Sequence, residues 1–276
     1  MRRSAAILVL LATSGMLGAC GKGEPATRTV TATATAPSAH AGGGTQGGGS
    51  EPQTHAGGSS AKARALAFAR AVNLQAFDVP GFRPSSEREH EHESAREKQL
   101  GLQMVRCVGS AVPTGALGSL AAGVGSHVAQ ASSKKYERSA GLASQSVTSE
   151  VTVERTAAEA AGVLAALRNT RVRECLSRYV RLLFEGGQLQ GATIGPVSVK
   201  YGSPPARGTA GSFGLRFSAS ISTHGVHIPF YLDLLGFVDG PAQVSLVTTG
   251  IPLPLPAKLE EQLFSLLLER AKAHTP

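Results

Sequence analysis

The chain has 276 residues, 42% hydrophobic and 5% aromatic, with 27 Lys and Arg against 19 Asp and Glu for a formal net charge of +8. No run of eighteen apolar residues occurs beyond the extreme N-terminus, which excludes a multi-span helical membrane protein, and three cysteines are too few for a disulfide-dense scaffold or a four-thiolate zinc site. Trp is absent and every Phe and Tyr lies at or after Phe68, so the core must come from the later part of the chain.

Met1-Arg2-Arg3 is a positive n-region, Ala5 to Ala12 an apolar h-region, and the stretch closes with Leu17-Gly18-Ala19-Cys20. This resembles the lipobox of bacterial lipoproteins, in which the peptidase cuts before the cysteine and the sulfur then carries a diacylglycerol; palmitate is the expected kind of acyl chain. The alternative is an ordinary secretory signal with an incidental cysteine. Residues 1–19 are therefore expected to be a signal peptide and Cys20 the lipidation site. Loss of Arg2 and Arg3 lowers the charge from +8 to +6. Acyl chains contribute about 0.8 kcal/mol per buried methylene, so several on one cysteine hold a chain at a membrane.

From Gly21 to Ser60 the residues are mostly Gly, Ala, Thr, Ser and Pro, with Val30 the only large apolar side chain. Such a segment cannot offset its ordering entropy by burial and reads as a flexible stalk over residues 20–60, with a root-mean-square span of roughly 35 Å. Gly42, Gly44 and Gly47 match G-x-G-x-x-G in text only, because neither a strand nor a helix flanks them.

Residues 61–276 read as a single α+β domain. Ala63 to Val72 suits a short helix or a first strand, followed by Asp78-Val79-Pro80-Gly81-Phe82, whose Pro-Gly marks a turn. Leu100, Met104 and Cys107 fall on one face of a helix, and the small-residue tract Gly109 to Gly125 follows. Val147, Val151 and Val153 predict a strand near 145–155. Thr156 and Glu159 have capping-box spacing before a helix to about Arg168. A second helix runs from Thr170 towards Gly186, with Val172, Cys175, Leu176, Tyr179, Val180 and Leu183 as its apolar stripe and Arg171, Arg173 and Arg178 mostly elsewhere. Strands are expected over Ala192 to Tyr201, Ser212 to Thr223, Val226 to Val238 and Ala242 to Gly250, an antiparallel meander. Pro252, Pro254 and Pro256 break the chain before a last helix, Ala257 to Ala273, with Leu259, Leu263, Leu266, Leu267 and Arg270 as its stripe and Glu260 and Glu261 placed to complement the macrodipole. The fold class is α+β, helices packed on an antiparallel sheet.

A lipobox, a low-complexity stalk and this element order resemble the actinobacterial LpqN-type lipoproteins, whose domain is similar to the PsbP fold of photosystem II. Asp78-Val79-Pro80-Gly81-Phe82, and Tyr231-Leu232-Asp233 followed by Gly236-Phe237, carry the local likeness. The resemblance implies a PsbP-like domain with an envelope-associated binding or protein-interaction role, and no catalytic residues.

The residues themselves offer little catalytic chemistry. With Cys20 acylated, Cys107 and Cys175 remain in an oxidising compartment and are expected to pair; the alternative is two buried, inert thiols. His90 and His92, among Glu87, Glu89, Glu91 and Glu93, would share one face and offer zinc or copper ligands only if the segment were extended; on a helix they diverge, and a solvated charge run is the plainer reading. His227, Tyr231 and Asp233 share one side of a strand, with Arg216 able to face Asp233 from its neighbour. These four either line a ligand cleft or include a cross-strand ion pair. No nucleophile elbow, Walker loop or His-Glu-x-x-His motif occurs, and no cofactor is called for.

Three functions stay open: a tethered, non-catalytic interaction module, a carrier enclosing an amphiphile in an apolar cavity with Gly109 to Gly125 as its lid, and a hydrolase. The stalk's Lys22 and Arg28 balance Glu24 and Glu51, so the positive charge belongs to the domain. For an exported, membrane-anchored chain the expected partners are envelope proteins, anionic lipid or cell-wall polymer, not nucleic acid.

Overall fold

The computed structural model describes residues 56–85, 95–109, 127–185, 192–223 and 225–276. Cys20, residues 21–55 of the expected stalk, His90, His92 and residues 110–125 of the expected lid lie outside them, and the last five residues of the expected stalk, 56–60, are helical. Helices α1 (Ala56–Val72), α2 (Ala95–Val108), α3 (Ala157–Arg168), α4 (Thr170–Glu185) and α5 (Ala257–Ala273) surround strands β1 (Arg83–Pro84), β2 (Ala129–Ser132), β3 (Tyr136–Ala140), β4 (Ala143–Val153), β5 (Ala192–Ile194), β6 (Ser198–Gly202), β7 (Gly211–Thr223), β8 (Val226–Asp239) and β9 (Ala242–Ile251). The strands form one antiparallel sheet in the order β1-β3-β4-β9-β8-β7-β5, with β2 also paired to β4 and β6 to β7. The fold is thus the expected antiparallel sheet with helices packed on it.

Alternation decides which face each residue serves. Along β7 and β8, Phe213, Leu215, Phe217, Leu234 and Val238 bury against α3 and α4, to which α2 adds Met104 and Val108. Phe237 of β8 and Val244 and Leu246 of β9 point the other way, into a core with Val147, Val151 and Val153 of β4, Phe68 and Val72 of α1, and Leu263, Phe264 and Leu267 of α5. Phe237 and Phe264 meet edge to face at 5.5 Å between ring centres. Each such side chain contributes about 1.5–3 kcal/mol by leaving water. Opposite Phe213 in the ladder stands Gly236, and a Cβ there would collide with the Phe213 ring.

Several expectations change. The segment ambiguous between helix and strand is helical and starts at Ala56. The single strand expected over Ala192 to Tyr201 is two, β5 and β6, both on the same edge of β7: Pro196 has no amide to donate, and the ladder resumes only at Ser198. Strands β2 and β3, which no long alternation marks, divide one edge of β4 in the same way. Both flanks of the sheet thereby end in short pieces, a form that resists pairing with another chain. In α5 the fully buried stripe is Glu260, Leu263, Phe264, Leu267 and Ala271, whereas Leu259, Leu266 and Arg270 are only half-buried. Glu260 therefore does not sit in solvent at the helix N-terminus but faces the sheet.

Candidate functional site

The register of β7 on β8 sets Arg216 directly opposite Asp233. Arg216 Nε donates to Asp233 Oδ1 at 2.6 Å and Nη2 to Oδ2 at 2.7 Å, the two-pronged geometry a guanidinium offers a carboxylate. Arg216 Nη2 also reaches Glu260 Oε2 at 3.4 Å, and Thr248 Oγ1 of β9 donates to Glu260 Oε1 at 3.0 Å. The cluster thus ties α5 to three neighbouring strands. Burial, then the nearby Asp233 charge, push the Glu260 carboxyl up to about 7, against the opposing pull of Thr248 and Arg216. Asp233 is 2% exposed and Glu260 7%, so neither carboxyl is open to a solute, although the Arg216 side chain is 43% exposed.

Of the four residues expected to face a ligand, the structure joins Arg216 to Asp233 as the ion pair and leaves Tyr231 half-buried within electrostatic reach of Arg216. His227 stands apart. It lies six positions before Asp233 on β8, on the order of 20 Å away, and its Nδ1 pairs with Ser222 Oγ at 2.5 Å on the exposed end of the hairpin. These four residues do not make one cleft. Thr248 was not singled out in the sequence, and Glu260 was read only as a complement to the macrodipole, yet it lies three and four residues before Leu263 and Phe264, on the helical repeat of the buried stripe.

A second polar hub fastens α1. Asn73 Nδ2 donates to the Ala131 carbonyl at 2.7 Å, Ser149 Oγ donates to Asn73 Oδ1 at 2.7 Å, and the Leu74 amide donates to Ser149 Oγ at 2.9 Å. Close by, Arg270 of α5 grips Asp78 through Nη1 at 2.8 Å and Nη2 at 2.7 Å, and donates to the Asn73 carbonyl at 3.0 Å. Asp78 also accepts the Gln75 amide at 2.6 Å.

The open concavity lies on the opposite face. Cys107 and Cys175 form a disulfide between α2 and α4, with Cα atoms 5.8 Å apart. Arg171 Nε adds a bond to the Cys107 carbonyl at 3.1 Å. Between the helices runs a groove of about 760 Å³, lined by Leu100, Met104, the disulfide, Tyr179 and Leu182, and edged by Gln103, Arg106, Arg171, Glu174 and Arg178. Leu100, Met104 and Cys175 are buried, whereas the three arginines and Glu174 are exposed, which makes an apolar floor with a basic rim. Helical spacing builds it: Leu100, Met104 and Cys107 stack on α2, and Arg171, Cys175, Arg178 and Leu182 follow one face of α4. The α2 stripe was legible as a stripe. The α4 arginines, set aside as lying mostly off the apolar face, prove to border it. Among the described residues no group of three or more His, Cys, Asp and Glu gathers to hold a metal ion, and no helix is long and apolar enough to cross a membrane.

No protein-family model matches the chain, and no curated protein does. Among solved structures, the chain is similar to the extracellular domain of PknH from Mycobacterium tuberculosis, at 11% identity and a TM-score of 0.31, over 51% of this chain and 62% of that one.

Proposed function

We propose that the chain is a lipid-anchored, extracytoplasmic and non-catalytic binding or protein-interaction module of the bacterial cell envelope, with the α2–α4 groove as its binding face. The observation that carries this reading is the groove itself: an open, amphipathic concavity on a domain whose buried Asp233 and Glu260 carboxyls are closed off beneath α5. The disulfide suits an oxidising compartment. The lipobox ending at Cys20, the stalk before the domain and the likeness to LpqN-type lipoproteins supply the anchor and the location.

A carrier enclosing an amphiphile between sheet and helices has less support. Phe237, Leu246, Leu263 and Leu267 on one face, and Phe213, Leu215 and Val172 on the other, are all almost wholly buried. The partner is an envelope protein, an anionic lipid or a cell-wall polymer, met at the groove.

Labelled palmitate supplied to cells expressing the full chain tests the anchor. The chain should take up label, remain in the membrane fraction and be cut by protease added to spheroplasts, while Cys20→Ser loses the label and leaves the membrane. Label retained by Cys20→Ser, or a domain shielded from external protease, contradicts the proposal.

A further inference from the structure

We infer that the α2–α4 groove binds an anionic amphiphile, a lipid whose phosphate head meets the arginine rim and whose apolar tail lies along the floor. This rests on the reading of the chain as an envelope binding module and names its ligand. The groove volume of about 760 Å³ falls within the range of small-molecule sites. Among the described residues its rim carries Arg106, Arg171 and Arg178 against Glu174. Elsewhere Arg216, Arg270 and Arg155 are committed to carboxylates. Among the described residues Arg106 and Arg178 have no ion-pair partner, and Arg171 spends its Nε on the Cys107 carbonyl while its terminal nitrogens stay free for an oxyanion. Paired guanidinium donors match a phosphate in charge and in fork geometry.

The floor selects the rest of the ligand. From Arg171 to Leu182 the α4 wall is about 16 Å long. A linear alkyl tail can lie along that length with its head at the arginine rim. Leu100, Met104, Tyr179 and Leu182 give that tail an apolar bed, and a bare oxyanion would leave it empty.

The test is calorimetric titration of dodecyl phosphate, below its micelle concentration, into a full-length Cys20→Ser chain that keeps every residue of the groove. One molecule should bind per chain. Arg106→Gln and Arg178→Gln, both exposed positions that leave the fold intact, should each weaken binding about tenfold, and Arg207→Gln, outside the groove, should leave it unchanged. Absence of binding, or equal binding by the double variant Arg106→Gln/Arg178→Gln, overturns the inference. So does equal binding of inorganic phosphate, which would make the rim a plain anion site, or of neutral dodecyl maltoside, which would make the floor a nonspecific apolar patch. Preference for hexaglutamate over dodecyl phosphate replaces the lipid with an acidic protein segment and leaves the interaction module standing, whereas failure of palmitate labelling removes the anchor without touching this titration.

Discussion

On one face of the sheet α1 and α5 are fastened at several points by charge and hydrogen bonds: Arg270 to Asp78, Asn73 to Ser149, and Glu260 to Thr248 and Arg216. On the other face α3 and α4 cover the strands mainly with apolar side chains, joined by Arg168 Nη2 to the Ser212 carbonyl and Tyr201 Oη to the Arg173 carbonyl, and the outer helix α2 is held by Met104, Val108, the Arg171 bond to the Cys107 carbonyl and one covalent bond, Cys107 to Cys175. The polar fastenings run from the first turn of α5, at Glu260, to its last, at Arg270. The disulfide fixes α2 near its C-terminal end, and among the described residues the groove beside α4 stays open. One face is a scaffold, and the other presents the surface.

The largest loss follows from removing the covalent tie. Cys107→Ser/Cys175→Ser opens a loop of 68 residues, worth about 4 kcal/mol on the chain-entropy account, and should release α2 to protease before the rest of the domain is cut. Urea unfolding measures the loss; unchanged stability would mean that packing alone holds α2. Next comes Asp78→Asn, which leaves the mostly buried Arg270 without its counter-charge. It should cost about 3 kcal/mol with α1 and α5 loosened together, and a loss below about 1 kcal/mol would show that the ionic fastening is dispensable.

Glu260 sharpens the comparison differently, because its place in the scaffold is held against a desolvation cost. Its carboxyl sits at about 7 in the folded chain against an ordinary value of 4.5, so the native state keeps a proton that the unfolded chain has released. This contribution is therefore most favourable below pH 4.5, declines as the pH rises towards 7, and is flat above. Glu260→Gln should abolish that slope and stabilise the domain by roughly 2 kcal/mol at pH 8, read from urea midpoints at pH 5 and 8. Parallel pH profiles for the two proteins would contradict the assignment. The smallest effect belongs to Thr156→Ala, which removes the hydroxyl that accepts the Glu159 amide at 3.1 Å and should cost about 1 kcal/mol, a fall in Tm of about 2–4 °C.

Much of the architecture was legible because long elements repeat their pattern. The alternation in β7, β8 and β9 is sustained for ten or more residues each, and the pairing of Arg216 with Asp233 followed from it. The start of α3 was also readable, though its box is displaced by one residue: the Glu159 carboxylate accepts the Arg155 amide, 3.1 Å, not that of Thr156. β2, β3 and the break between β5 and β6 were not legible, since four- and five-residue strands such as Ala-Gln-Ala-Ser and Tyr-Glu-Arg-Ser-Ala carry too few alternations to show a period. Asp78 and Phe82, quoted for the family likeness, turn out to be fastenings: Asp78 holds Arg270, and Phe82 lies under the Arg138 guanidinium. The groove was the hardest part to foresee. Its walls are on two helices more than sixty residues apart, and an arginine beside an apolar stripe looks in sequence like one facing solvent.

Hydrogen exchange on the full-length Cys20→Ser chain, with and without dodecyl phosphate, tests the division of labour between the faces most directly. Protection should rise in residues 95–109 and 170–185, which flank the groove, and stay unchanged in 56–72 and 257–273. Protection centred on α1 or α5, or none at α2 and α4, would contradict it.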